Sequence, residues 1–296
     1  MATFNINLED KTLVIDMTSE NSNLSITTNK TEDHAIRPAI IATLTEGVFT
    51  STGNIGPDDP GNETNSITIV SDVSTSFEIT AKDGYVGNIN FNKLKYTVDQ
   101  FKISLSTSKS QIEFDSADLT AITKIDIKTA KNIIIKGGSR IITNGLSDTM
   151  NNEDVELILS SNQGPTSTSG NFSGISIDGM NLVSSVGIIK LDGKGGDGDG
   201  DSGNSGVVIS NTSTVIGGTV TVSGSGGGVA KNNIGVHVKL ASMITSSGDG
   251  NVMVTGTGSD IAKGNENHGV CVEGGDSKIT SGINGKGNVT VKGNSG

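Results

Sequence analysis

Gly206-Val207-Val208-Ile209, Gly235-Val236-His237-Val238 and Gly269-Val270-Cys271-Val272 open three copies of one unit, and Gly174-Ile175-Ser176-Ile177 opens a degenerate earlier one. A second short strand follows at Val215, Met243-Ile244-Thr245-Ser246 and Lys278-Ile279-Thr280-Ser281. The third reads Thr219-Val220-Thr221-Val222-Ser223-Gly224, then Asn251-Val252-Met253-Val254-Thr255-Gly256, then Asn288-Val289-Thr290-Val291-Lys292-Gly293, with Ile189 to Gly193 as the earlier equivalent. Three short strands in about thirty residues, repeated with variable insertions, describe one coil of a three-sided solenoid. The expected fold is therefore all-β: a right-handed parallel β-helix in which each coil lies roughly 4.8 Å above the last.

Alternation assigns the faces. Val207, Ile209, Val220, Val222, Val236, Val238, Val252, Val254, Val270, Val272, Val289 and Val291 are expected to point inward as core columns, while the intervening Thr, Ser, Lys and His face water. Asn204, Asn233 and Asn267 each precede an opening glycine by two residues. Such aligned asparagines either stack as a turn ladder or merely tolerate left-handed turns. Gly224, Gly226, Gly256 and Gly258 are expected to supply positive φ where coils corner.

Earlier strand grammar is less regular. Segments such as Ile67-Thr68-Ile69, Phe77-Glu78-Ile79, Phe101 to Leu105, Ile112-Glu113-Phe114, Ile125-Asp126-Ile127 and Ile133-Ile134-Ile135 are punctuated by Gly, Asn and Asp, which suggests shorter coils with few insertions. Residues 1–66 read as an N-terminal cap with the first strands, 67–170 as irregular coils, and 171–296 as the Gly-rich repeats. Arg37-Pro38 and Gly56-Pro57-Asp58-Asp59-Pro60 mark turns in the cap, where proline cannot break an internal ladder. The last unit carries no polar closing segment, so the solenoid is expected to continue past Gly296 or to self-associate through that end.

Composition agrees with strands and turns. Glycine fills 41 of 296 positions, Trp is absent, and there are two Tyr and seven Phe; the β-branched remainder disfavours long helices. A net charge of −11 with only two arginines, Arg37 and Arg140, leaves no basic face for nucleic acid. No segment has the roughly 18 consecutive apolar residues of a membrane span. Met1 to Leu8 lacks the basic-then-apolar pattern of a secretion signal. Cys271, the single cysteine, excludes an intrachain disulfide and reads as a small side chain in a strand rather than a nucleophile.

The units Gly-Val-x-Val, Ile-Thr-Ser and Gly-x-Val-x-Val-x-Gly-x-Gly resemble those of large bacterial haemagglutinin-type and autotransporter-passenger-like surface proteins over roughly residues 170–296. The resemblance implies an extended β-helical stalk outside the cell, meeting a surface receptor or glycan without catalysis. It is specific for architecture rather than function. The sequence departs from it in showing neither a secretion signal nor a C-terminal translocator barrel.

Few residues suggest chemistry. Gly195 to Gly203 carries Asp197, Asp199 and Asp201 on a glycine backbone, which could converge oxygen atoms on Ca²⁺. Ser202 and Val208 stand where an EF-hand requires Gly and Glu, so a solvated loop without cofactor is the competing reading. His34, His237 and His268 are expected to lie apart from any metal or catalytic cluster. Since β-helices also host polysaccharide lyases and glycosidases, Asp115, Asp118, Asp126 and Asp154 are the loose candidates for paired carboxylates. A lattice-binding face would need regular Thr-x-Thr rows; Thr219-Val220-Thr221 has the form, but Asn251 and Met253 break the row.

Overall fold

The computed structural model describes residues 2–7, 12–17, 24–28, 39–44, 49–51, 66–70, 76–81, 88–105, 110–145, 154–164, 168–198, 203–261, 264–282 and 286–296, with side chains described from Phe77 onward. The expected turns at Arg37-Pro38 and Gly56 to Pro60, and His34, lie outside the described residues.

β-branched residues alternating with short polar ones form strands that stack in parallel on three faces. On the first, Leu24–Thr28, Ile89–Asn92, Ile112–Asp115, Ile133–Lys136, Ile175–Asp178, Val207–Ser210, Val236–Lys239 and Val270–Glu273 lie one on the next. Arg140–Thr143, Met243–Ser246 and Lys278–Thr280 belong to the second. Thr12–Met17, Ser76–Ala81, Glu156–Ser161, Val252–Thr257 and Val289–Asn294 belong to the third. Four long strands, Lys95–Leu105, Asp118–Thr129, Leu182–Lys194 and Thr214–Ser225, run through both the second and third faces. Pairing slips between Ala121 and Lys124 and between Ser185 and Ile188, so these strands bend at the corner instead of stopping.

The chain is thus all-β, with parallel strands consistent with a solenoid and no α-helix among the described residues. Pairing turns antiparallel towards the N-terminus, where Ala2–Asn7 meets Thr12–Met17 and Ala39–Leu44 lies between Leu24–Thr28 and Ser66–Val70. Coil length varies along the chain, from 21 residues between Ile112 and Ile133 to 42 between Ile133 and Ile175. Successive rungs are 23 residues apart at Asn88 and Gln111, 29 at Asn204 and Asn233, and 34 at Asn233 and Asn267.

Inside, two kinds of core follow one another. In the earlier coils phenyl rings fill the cross-section: Phe77 stacks on Phe101 at 5.0 Å and Phe91 on Phe114 at 4.6 Å, with Phe91 edge-on to Phe101. Later coils are aliphatic. Val207, Ile209, Val220, Val222, Val236, Val238, Val252 and Val254 are fully buried. Val270 is half-buried, while Val272, Val289 and Val291 continue the columns in register but remain exposed, each on a strand paired on one side among the described residues.

The repeat glycines have a role different from the one expected. Gly224, Gly226, Gly256 and Gly258 do not adopt positive φ; they sit where two stretches of backbone touch across the coil. A Cβ on Gly224 would lie 2.0 Å from the Gly235 carbonyl oxygen, and one on Gly256 1.9 Å from that of Gly269. At Gly226 and Gly258 it would lie 2.1 and 2.0 Å from the carbonyl oxygens of Asn233 and Asn267. Each Gly-x-Gly at the end of a third strand is therefore pressed against the Asn-x-Gly that opens a first strand, and any side chain would force them apart.

Candidate functional site

The asparagines form a ladder, built differently from amide stacking. The Asn204 N–H donates to Asn233 Oδ1 at 3.0 Å, and the Asn233 N–H to Asn267 Oδ1 at 2.9 Å. Each side-chain amide then donates within its own turn, Asn233 to the Ala230 carbonyl at 2.9 Å and Asn267 to that of Gly264 at 2.8 Å. All three residues are buried. The residue before each, Gly203, Asn232 or Glu266, takes positive φ, which tips the asparagine into the column.

A second column was not foreseen. Ser139, Asn181, Ser213 and Ser242 each directly precede a strand segment of the second face, and each side chain accepts from a backbone N–H one coil below. The Asn181 N–H reaches Ser213 Oγ at 3.3 Å, and the Ser213 N–H reaches Ser242 Oγ at 3.1 Å. Beside this column the chain turns on consecutive left-handed residues: Gly137-Gly138, Gly179-Met180, Asn211-Thr212 and Leu240-Ala241. All of them but Ala241 line an open groove, where Met180 and Leu240 are exposed.

Outward charges pair between coils. Glu156 receives Lys124 at 2.9 Å and Lys190 at 3.2 Å, and these hydrogen bonds, Lys124 first, hold its carboxyl below the usual range despite partial desolvation. Lys102 meets Glu78 at 2.6 Å. Of the loose catalytic candidates, Asp115 pairs with Lys136 at the end of the first face, Asp118 with Arg140 at the start of the second, and Asp126 with Lys128 on the third. Asp154 is exposed. The four carboxylates therefore do not gather on one face. The threonine row is broken as read, since Thr221 lies in register with the exposed Met253.

Of the acidic loop, Asp199 and Asp201 lie outside the described residues. Its opening is tied down rather than free: the N–H groups of Gly196, Asp197 and Gly198 donate to the carbonyls of Phe172, Thr168 and Gly170 at 2.9, 3.4 and 3.1 Å. Asp197 is half-buried on this edge.

The histidine expectation needs correction. His237 points outward as alternation requires, yet it is buried and belongs to a cluster. Cys271 is its register partner one coil on, and Glu273 stands two residues further along the same face. His237 Nε2 lies 2.8 Å from Glu273 Oε1, and one ligand atom of each of the three residues falls within 4.8 Å of the others. Burial holds the imidazole below its ordinary pKa, against the opposing hydrogen bond from Glu273, and burial pushes the Cys271 thiol up. The repeat alignment contained the signal, because Gly-Val-His-Val over Gly-Val-Cys-Val superposes the two residues. His268 does not join them within that distance.

In comparisons with known proteins, no family model, no curated protein and no solved structure matches the chain. Among the described residues no helix is long and apolar enough to cross a membrane.

Proposed function

We propose that this chain is a non-enzymatic, extended segment of a bacterial surface or secreted protein, a right-handed β-helix that holds adhesive loops away from the cell. The observation that carries this reading is the in-register stacking of three parallel faces from Thr12–Met17 through Val289–Asn294. Such stacking makes stability a sum of contacts between neighbouring coils, so length is gained without a new core. Residues 1–66 serve as the N-terminal cap with the first strands, and loops leaving the corners, such as residues 192–206 and 256–268, meet a receptor or glycan.

Support comes also from the outward faces, where carboxylates are tied to lysines of neighbouring coils, as Glu156 is to Lys124 and Lys190, and as Glu113 and Asp115 both are to Lys136. The test is retention of the immobilised chain's binding partners from a glycan array and from intact cells. Saturable binding that disappears when residues 260–263 of the second loop, beginning at the exposed Asp260 and Ile261, are replaced by Gly and Ser is the expected result. Cleavage of any glycan, abolished by Asp115→Asn or Asp126→Asn, would overturn the reading. Electron microscopy at rising protein concentration addresses the fibre alternative: isolated short rods accord with a stalk, and ordered filaments favour a self-assembling subunit.

A further inference from the structure

We propose that His237, Cys271 and Glu273 form a binding site for a zinc-class transition-metal ion on the outer surface of the first face. The three residues come from two adjacent coils, and the parallel register, not a flexible loop, sets them together: Cys271 lies directly over His237, and Glu273 projects to the same side. Backbone hydrogen bonds hold this part of the ladder, including the Val236 N–H to the Gly269 carbonyl at 2.9 Å. The donor atoms are an imidazole nitrogen, a sulfur and a carboxylate oxygen within 4.8 Å of one another.

That donor mixture selects the ion. Calcium and magnesium take oxygen ligands, whereas nitrogen with sulfur suits zinc and its neighbours. Bond lengths of about 2.0–2.3 Å to a tetrahedral zinc place donors roughly 3.3–3.6 Å apart. The cluster reaches this spacing by small side-chain rotations: the 2.8 Å contact between His237 and Glu273 opens slightly, and the sulfur closes in. Three protein ligands leave a fourth position for water.

Charge balance favours occupancy. On binding, Cys271 gives up its thiol proton to solvent, and thiolate and carboxylate together neutralise a divalent ion. The imidazole enters neutral, as metal ligation requires. The nearby cation Lys239, in register with Glu273, opposes the ion, whereas Glu266 beside Cys271 favours it.

The experiment uses the full chain stripped of metal, titrated with Zn²⁺ by calorimetry and with Co²⁺ by absorption. The expected result is saturation at one ion per chain and a thiolate-to-cobalt charge-transfer band. Cys271→Ser removes that band, and His237→Gln and Glu273→Gln each weaken Zn²⁺ binding by at least about tenfold. Asp197→Asn leaves both signals unchanged, which separates this site from the acidic loop. Zn²⁺ also slows alkylation of Cys271 in the unmodified chain, a readout needing no variant. Absence of saturable Zn²⁺ binding, or full binding retained in both Cys271→Ser and His237→Gln with circular dichroism unchanged, would overturn the proposal.

Discussion

Gly224→Ala probes the close approach that shapes the later coils. Its methyl group would sit 2.0 Å from the Gly235 oxygen, 2.7 Å from the carbonyl carbon and 2.8 Å from Val236 Cγ2. Ordinary carbon–oxygen contact begins at about 3.3 Å, so the two backbones must part by roughly 1 Å. Neither is free to do so. Gly235 donates its N–H to the His268 carbonyl at 2.9 Å, and its own carbonyl accepts from Val207 at 2.9 Å. Overpacking costs about 1–3 kcal/mol, and each of the two stretched buried hydrogen bonds about 1 kcal/mol more, giving roughly 3–5 kcal/mol in total. Gly275→Ala is the control, since nothing lies within 4 Å of its added methyl group. Urea unfolding followed by circular dichroism, with hydrogen exchange read coil by coil, measures both. A Gly224→Ala protein within about 0.5 kcal/mol of the Gly275→Ala protein would refute the argument.

Asn233→Ala strands the Asn204 N–H and deletes the side-chain bond to Ala230; a loss of about 2–3 kcal/mol is expected in urea melts, with Asn233→Asp losing less because an acceptor remains. Ala241 holds φ at +59°, so Ala241→Gly should stabilise by about 1 kcal/mol in the same assay, the reverse of the usual effect of glycine. Glu156, ionised more readily in the folded state, contributes stability that is present above its ordinary value of 4.5 and is lost as pH falls through the lower folded value. Glu156→Gln should flatten that part of the stability–pH curve by a fraction of a kcal/mol, and added salt should shrink the difference. Tyr96, whose pKa burial raises to about 12, loses its proton later in the folded than in the unfolded chain. Stability should therefore fall between pH 10 and about 12, and Tyr96→Phe should remove that slope in alkaline melts.

Much of this architecture was legible in the repeats. Inward columns follow from alternation alone, and Asn204, Asn233 and Asn267 stand at one repeat position, so their alignment needed no coordinates. What escaped was of another kind. The part played by Gly224 depends on Gly235, its neighbour across the coil rather than along the strand, and alternation carries no information about that direction. The second ladder escaped because Ser139, Asn181, Ser213 and Ser242 share a position but not a residue type; a search for any short acceptor before each second strand would have found it. His237 was read singly, as an outward side chain, although the repeats already placed Cys271 above it. In the earlier coils Phe77 and Phe101, and Phe91 and Phe114, are register partners one coil apart, but no repeated motif in that half marks the coil length, so their stacking was hidden.

The contact of glycine with glycine across each later coil also governs how such a protein can lengthen. Because the pinch fixes one outline for every layer, a duplicated stretch of gene inserts a layer that already fits those above and below. Sequence drift is then confined to the corners, where added residues swing outward and leave the footprint untouched.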